Sequence, residues 1–311
     1  MEDEPLLLTL TPSATRRHYD IFTGIVKNEA AVVTVRGQRN QYFGFFNDFG
    51  KPVASSVLQS SRKKLRAPTI SKLSLSRMDS KIDALPYKWP AQGGLDPTTT
   101  ALMIIDMQLD FCSPDGYLVH QGYDISPVRA IIPRLQTLLS LFRTHAFPIY
   151  HTREGHRPDL STLSPREAHR SRLNPSGLGI GDGAGPGGLG RFLIRGEPGH
   201  AIIPELAPRA GEPIIDKPGR SAFQHTDLGL LLRLKGVRNL VLVGATTDVC
   251  VSSTMREAND NGFDCLLVSD ACAASEERLH AGAVGSVLAE GGIFGAVASC
   301  DRVVAALEAL A

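Results

Sequence analysis

The sequence has almost no net charge, with 33 Lys and Arg against 32 Asp and Glu. An extended nucleic-acid face needs a basic excess, so no nucleic-acid partner is expected. Cysteine is scarce and shows no pairing pattern. Cys112, Cys250, Cys265, Cys272 and Cys300 are odd in number and lack CxxC or clustered Cys/His spacing. Neither a disulfide framework nor a structural zinc site follows, and a reducing, cytoplasmic compartment fits. No apolar run approaches the roughly 20 residues of a membrane span, so no membrane partner is expected. The start, MEDEPLLLTLTPSATRR, has acids where a secretory signal has bases. What the chain does have is 42% hydrophobic residues over 311 positions. That is enough to bury the core of one large domain, or of one domain with appendages.

The charge is unevenly spread. Residues 1–77 hold 12 Lys and Arg against 6 Asp and Glu, and the remainder holds 21 against 26. The first part shows two strand-like runs, Ala31 to Val35 and Gln41 to Phe46. The Ser-rich basic stretch Lys51 to Arg77 then follows without a single acid. Such a stretch buries too little apolar surface to fold alone. Residues 1–77 therefore read as a poorly structured, solvated extension and 78–311 as the folded domain. The basic half resembles an organelle transit peptide, although the acids at the N-terminus oppose that reading. Met78, opening MDSKIDALPYKWP, is an alternative start.

From Thr99 onward, apolar runs alternate with helical spacings. Strands are predicted at Ala101 to Ile105, Pro148 to His151, Pro213 to Asp216, Asn239 to Val243, Asp264 to Ser269 and Ile293 to Ala298. Helices are predicted over Ser126 to Thr144, Asp227 to Leu234, Val249 to Asn261, Glu276 to Ala289 and Asp301 to Leu310. This alternation predicts an α/β fold, a three-layer αβα sandwich with a six-stranded parallel sheet. Thr152 to about Ala210 is polar and rich in Gly and Pro, including GLGIGDGAGPGGLG. With no Lys-Ser/Thr after it and no strand running into it, the segment reads as a flexible lid or insertion, not a phosphate cradle.

In open α/β sheets, ligands bind beyond the carboxyl ends of the strands. Three reactive residues stand at such ends: Asp106, Lys217 and Cys250. Cys250 falls in the first turn of a predicted helix capped by Thr247 or Asp248, where free N–H groups and the dipole favour thiolate. The carboxylate of Asp248 opposes that. A carboxylate to take a thiol proton, a cation beside the developing anion and a cysteine at a helix start make a nucleophile set. A buried Asp106–Lys217 ion pair beside an inert thiol accounts for the same spacing.

IIDMQLDF, DKPGRSAF and GATTDVCVSSTMREANDNGF, followed by SDACAAS, resemble the isochorismatase-like superfamily of cysteine hydrolases, over about Thr99 to Ala311. The resemblance implies Asp106 as base, Lys217 as cation and Cys250 as nucleophile, with no metal or other cofactor. It also implies a cis Ala245–Thr246 peptide, an oxyanion hole from the N–H groups of Thr246 and Cys250, and a homo-oligomer. True isochorismatases lack this cysteine, so Cys250 argues against vinyl-ether hydrolysis. HTREGHRPDLSTL and IRGEPGHAIIPELAP look most like the branch acting on biuret, triuret or ureidoacrylate. That branch implies a small ureido substrate, with Phe111 and Phe223 as candidate walls and Glu290 as a candidate polar contact. Core packing for the two rings and a solvated helix end for Glu290 are the plainer alternatives. Arg153 and His200 are weaker candidates. YHTREGH only approximates the Asp-x-His metal site of nicotinamidases. A metal held by Glu154, His156 and His151 is therefore set below a reading of these as ordinary loop residues. A nicotinamidase and a non-catalytic ligand sensor remain as alternatives.

Overall fold

The computed structural model describes residues 80–183, 185 and 188–310, and the backbone of 20–24, 31–36 and 41–46. The chain divides into two units, residues 1–69 and 70–311. In the first, β1 (Asp20–Gly24), β2 (Ala31–Arg36) and β3 (Gln41–Phe46) form an antiparallel meander in that order. β2 and β3 fall on the two predicted strand-like runs. β1 escapes a pattern reading because the five residues DIFTG hold too little alternation to register. Lys51 to Arg77 and Met78 lie outside the described residues.

The second unit is built on β4 (Thr100–Ile105), β5 (Ile149–Glu154), β6 (Ile214–Lys217), β7 (Asn239–Ala245), β8 (Asp264–Ala273) and β9 (Ala296–Ala298). They form one sheet in the order β6-β5-β4-β7-β8-β9, with every neighbouring pair parallel. The helices are α1 (Leu109–Cys112), α2 (Tyr117–His120), α3 (Ser126–Ala130), α4 (Ile132–Thr144), α5 (Pro165–Arg170), α6 (Leu228–Leu234), α7 (Ser252–Asp260), α8 (Glu277–Leu288) and α9 (Cys300–Glu308). Alternate strand residues feed two cores. Leu102, Ile104, Val241 and Val243 pack with Leu138 and Phe142 of α4 and Val303 of α9. Ala101, Met103, Leu240 and Leu242 pack with Leu232 of α6 and Met255 of α7. Covering both faces makes the strand sequences continuously apolar and yields the expected three-layer sandwich. Among the described residues, no helix is long and apolar enough to cross a membrane.

Chain direction sets the site. The chain lays β4, β5 and β6 outward on one side, then returns to place β7 on the other side of β4. The order therefore reverses between β4 and β7, which is where the crevice of such a sheet opens. At this seam β7 bends through Gly244, at φ 113°. A Cβ there would lie 2.2 Å from the Ile105 carbonyl oxygen. Gly244→Ala is expected to destabilise the fold by about 3 kcal/mol, from left-handed strain plus overpacking. A urea melt with a lowered midpoint and an unchanged slope measures it, and an unchanged midpoint contradicts it.

Several predicted boundaries move for local reasons. The single helix over Ser126 to Thr144 is broken into α3 and α4, because Pro133 in the first turn of α4 has no N–H for the preceding turn. β9 begins at Ala296 instead of Ile293. Gly292 and Gly295, at φ 94° and 127°, turn the chain just before it. β8 runs four residues past Ser269, its pairing with β7 shifting between Leu242 and Gly244. The segment expected to be a flexible lid is packed over most of its described length. Ile180, Phe192, Leu193, Ile203 and Leu206 are buried in the core with α4. The buried Asp110 carboxylate of α1 accepts the Leu193 N–H at 2.9 Å. Burial pushes the Asp110 carboxyl up to about 6. Residues 184, 186 and 187 of the glycine cluster lie outside the described residues.

Candidate active site

Four strand ends converge. Asp106 follows β4 in a left-handed turn, φ 51°, a conformation aspartate tolerates better than most residues. Its Oδ1 accepts the Thr152 hydroxyl at 2.6 Å, and its Oδ2 lies 2.7 Å from Lys217 Nζ at the end of β6. Lys217 and Asp106 are both fully buried. The ammonium also donates to the Gly219 carbonyl at 2.8 Å and lies 3.4 Å from Cys250 Sγ and 3.5 Å from Glu154 Oε2. β7 ends in a cis Ala245–Thr246 peptide. A π-helical turn, Thr247–Val251, then carries Cys250 over the ends of β4 and β6.

The local structure around Cys250 differs from the expected first turn of an ordinary helix. The Thr246 carbonyl accepts from both Val249 N–H (3.2 Å) and Val251 N–H (3.1 Å), and no side chain caps the turn. Thr247 instead bonds His280 Nδ1 through its hydroxyl at 2.9 Å. Asp248 lines the cleft and forms no hydrogen bond to the sulfur or to the turn among the described residues. The expected dipole-lowered thiol is also corrected. Burial pushes the Cys250 thiol well above its usual value. Lys217 opposes this, while Asp106 and Glu154 add to it. Burial in this setting favours the thiol over the thiolate.

Glu154 is the group the sequence reading misplaced. Because β5 continues three residues beyond His151, Glu154 stands at a strand end level with the others, and its Oε2 accepts from Cys250 Sγ at 3.3 Å. Burial works against its charge, but Lys217 and Arg220 outweigh it and hold the carboxyl below its usual range. Asp106 goes the other way: burial raises it, against Lys217, and Glu154 adds to the rise. His151 and His156 do not join Glu154. His151 Nε2 meets Glu212 at 3.2 Å, and His156 Nδ1 lies 3.3 Å from the Thr162 hydroxyl. Among the described residues, the side chains close enough to share an ion are Asp106, Glu154 and Cys250, all within 4.8 Å of one another. The Lys217 ammonium already touches all three.

Cys250 opens into a cleft of about 160 Å³. Thr246 and Cys250, the expected oxyanion donors, both line it, and Phe111 forms part of its wall. Phe223 does not: its ring packs on Phe263, centroids 5.7 Å apart, in the core beneath α6 and α7. Glu290 is exposed in a left-handed turn after α8 and does not line the cleft. Arg153 points to the opposite side of β5 and forms a bidentate pair with Asp216, at 2.7 and 3.0 Å. His200 is buried 3.7 Å from the same carboxylate. Neither lines the cleft.

Arg220, Arg170 and Tyr117, none of them singled out by sequence, do line it. Arg220 lies 3.5 Å from Glu154 Oε1 and shares Glu167 with Arg170. Burial opposes the charge of Glu167, yet the two guanidinium groups outweigh it and hold its carboxyl at about 2. Arg220 belongs to DKPGRSAF, so the motif was visible, but its role depends on a partner 53 residues away.

Residues 100–299 match the isochorismatase domain. The chain belongs to the isochorismatase family of hydrolases. Among curated proteins it is similar to the ureidoacrylate amidohydrolase RutB of Methylobacterium radiotolerans, 29% identical over 208 residues, which are 64% of this chain and 76% of the relative. A cysteine hydrolase from Pseudomonas syringae pv. phaseolicola shares the fold, with a TM-score of 0.59 and 24% identity over 70% of this chain and 96% of that one. An isochorismatase family protein from Desulfovibrio vulgaris superposes at 0.54, with 26% identity over 68% and 98% of the two chains. Isochorismatase-family membership accounts for the order of the motifs and for the parallel sheet that brings them together.

Proposed function

We propose that this protein is a cysteine amidohydrolase that cleaves the C–N bond of a small ureido or carboxamide substrate and releases ammonia. The observation that carries the reading is the Lys217 ammonium, within 3.5 Å of Asp106, Glu154 and Cys250 alike. Asp106 takes the thiol proton, and the sulfur attacks the carbonyl carbon. The oxyanion rests on the N–H groups of Thr246 and Cys250. The C–N bond then breaks, the proton passes from Asp106 to the leaving nitrogen, and a thioester remains. Water gives a proton to Asp106 and its hydroxide to the thioester, releasing the acid. The proton then returns to sulfur. Lys217 stays charged throughout, beside whichever carboxylate or sulfur carries the negative charge.

The similarity to a ureidoacrylate amidohydrolase supports a carbamoyl substrate. A cleft of about 160 Å³ suits one of biuret or triuret size. The nicotinamidase alternative loses support because His151 and His156 turn to Glu212 and Thr162. The homo-oligomer stays part of the proposal, and light scattering measures it. An ammonia-release screen over biuret, triuret, ureidoacrylate-like acids, N-carbamoyl amino acids and nicotinamide tests the reading. Release from carbamoyl compounds is expected, and release from nicotinamide alone overturns it. A ligand sensor would release ammonia from none of them.

The pH profile follows from the raised Asp106 carboxyl. Asp106 accepts a proton only when ionised, so kcat/KM is expected to fall as pH drops through a pKa above the usual aspartate value of about 3.9. An acid limb at or below that value contradicts Asp106 as the base.

A further inference from the structure

The two carboxylates beside Cys250 are bonded very differently. Both oxygens of Asp106 have short partners, at 2.6 and 2.7 Å. Glu154 Oε2 accepts the Cys250 thiol at an ordinary 3.3 Å and has Lys217 Nζ at 3.5 Å, whereas Oε1 meets only Arg220 Nη1, at 3.5 Å. A satisfied charge-assisted N–H···O bond measures about 2.7–2.9 Å. Glu154 is thus buried and lines the cleft, and its Oε1 keeps acceptor capacity that its protein neighbours do not fill. Its backbone is held on both sides by Gln108, whose Oε1 accepts the Glu154 N–H at 2.7 Å and whose Nε2 donates to the Glu154 carbonyl at 3.0 Å. The strand end that carries the carboxylate is therefore fixed in place.

We propose that Glu154 is the substrate-binding carboxylate of the cleft, accepting N–H bonds from the carbamoyl group under attack, so that the site takes a neutral N–H donor there and rejects a carboxylate. This rests on the amidohydrolase reading for its natural substrate, but not for its test. A carbonyl carbon poised for attack sits about 3–3.5 Å from the sulfur, and its amide nitrogen is about 1.3 Å farther on. Glu154 Oε2 lies 3.3 Å from the same sulfur and lines the same cleft, so its carboxylate borders the space that nitrogen would occupy. The Lys217 and Arg220 cations keep Glu154 ionised, so it accepts and does not donate. A substrate carboxylate at this position would meet like charge at contact distance.

Alkylation of Cys250 reads this without any known substrate: the sulfur bonds the methylene carbon, iodide leaves, and the adjacent amide is the N–H donor offered to Glu154. The probes are iodoacetamide, N,N-dimethyliodoacetamide and iodoacetate, with each rate measured on the Cys250 peptide by mass spectrometry and divided by the rate with glutathione. In the unaltered protein, iodoacetamide is expected to outpace both other reagents by about tenfold or more, the worth of one charge-assisted hydrogen bond. In Glu154→Gln both ratios should fall to within about threefold of glutathione. A purely structural role would slow all three reagents together and leave the ratios unchanged. The proposal is overturned if the unaltered protein does not prefer iodoacetamide, total unreactivity included, or if the preference survives in Glu154→Gln. Because the first comparison needs no variant, poor folding of Glu154→Gln leaves it decisive. Reagent preference without ammonia release from any compound would instead count against the amidohydrolase reading alone.

Discussion

Lys217→Met is expected to destabilise the protein by about 3–5 kcal/mol and to abolish hydrolysis. The side chain is fully buried and supplies the positive charge shared by Asp106, Glu154 and Cys250. Removing it leaves two buried carboxylates without their shared cation, with Arg220 3.5 Å from one of them. Methionine fills similar volume, so the loss is electrostatic and not a cavity effect. The sign of the pH dependence follows. Without the ammonium, both carboxyls have folded pKa values above their unfolded ones. Their protonated forms then favour folding at low pH, and this contribution is lost as pH rises through the folded values. The deficit should be largest near pH 8 and shrink toward pH 5. Urea melts at the two pH values measure it, and a deficit independent of pH would show that the ammonium is not what balances these acids.

Cys250→Ser is expected to lower kcat by roughly 10³-fold or more while changing stability by less than about 1 kcal/mol. The substitution keeps the size and donor position of the side chain, so the fold has little to lose. A serine hydroxyl is far less acidic than a thiol, and Asp106, itself a carboxylate, is too weak a base to ionise it. Steady-state kinetics on any carbamoyl compound found to be turned over, paired with a thermal melt, separates the two effects. Retained turnover would remove the cysteine from the chemistry.

Much of the site could be read in the sequence because it sits at strand ends. Apolar runs that stop at Asp106, at Lys217 and just before the turn carrying Cys250 mark the carboxyl edge of a sheet, and a sheet of this kind binds ligands there. The six strands and their parallel arrangement were legible because both faces are covered, so the central strands β4 and β7 are continuous apolar runs and the others carry apolar cores. The two failures with functional consequences have one cause each. Glu154 was read as a loop residue because polar residues continue β5 past His151. Thr152 and Glu154 point to Asp106 and Cys250, so the strand loses its apolar signature just where it builds the site. Phe223 and Glu290 were misplaced because distance along the chain from a reactive residue says nothing about which way a side chain turns after a bend.

The long segment after β5 shows the opposite limit. Its Gly and Pro content suggested a loose lid. Yet Phe192, Leu193 and Ile203 are buried in the core, and α5 carries Glu167 to Arg220 beside the cleft. None of these contacts is periodic in sequence. They are pairings between irregular backbone and distant elements, set by the way β4, β5 and β6 are laid side by side.

The central claim is that Cys250 forms a covalent acyl bond during turnover. Acid-quenching the unaltered protein milliseconds to seconds after mixing with a hydrolysed carbamoyl compound, and mapping the peptides by mass, tests it most directly. The predicted result is an acyl adduct on the Cys250 peptide alone, present during turnover, decaying when substrate is exhausted and absent in Cys250→Ser. Full turnover with no adduct at any time point, together with undiminished activity in Cys250→Ser, would contradict it.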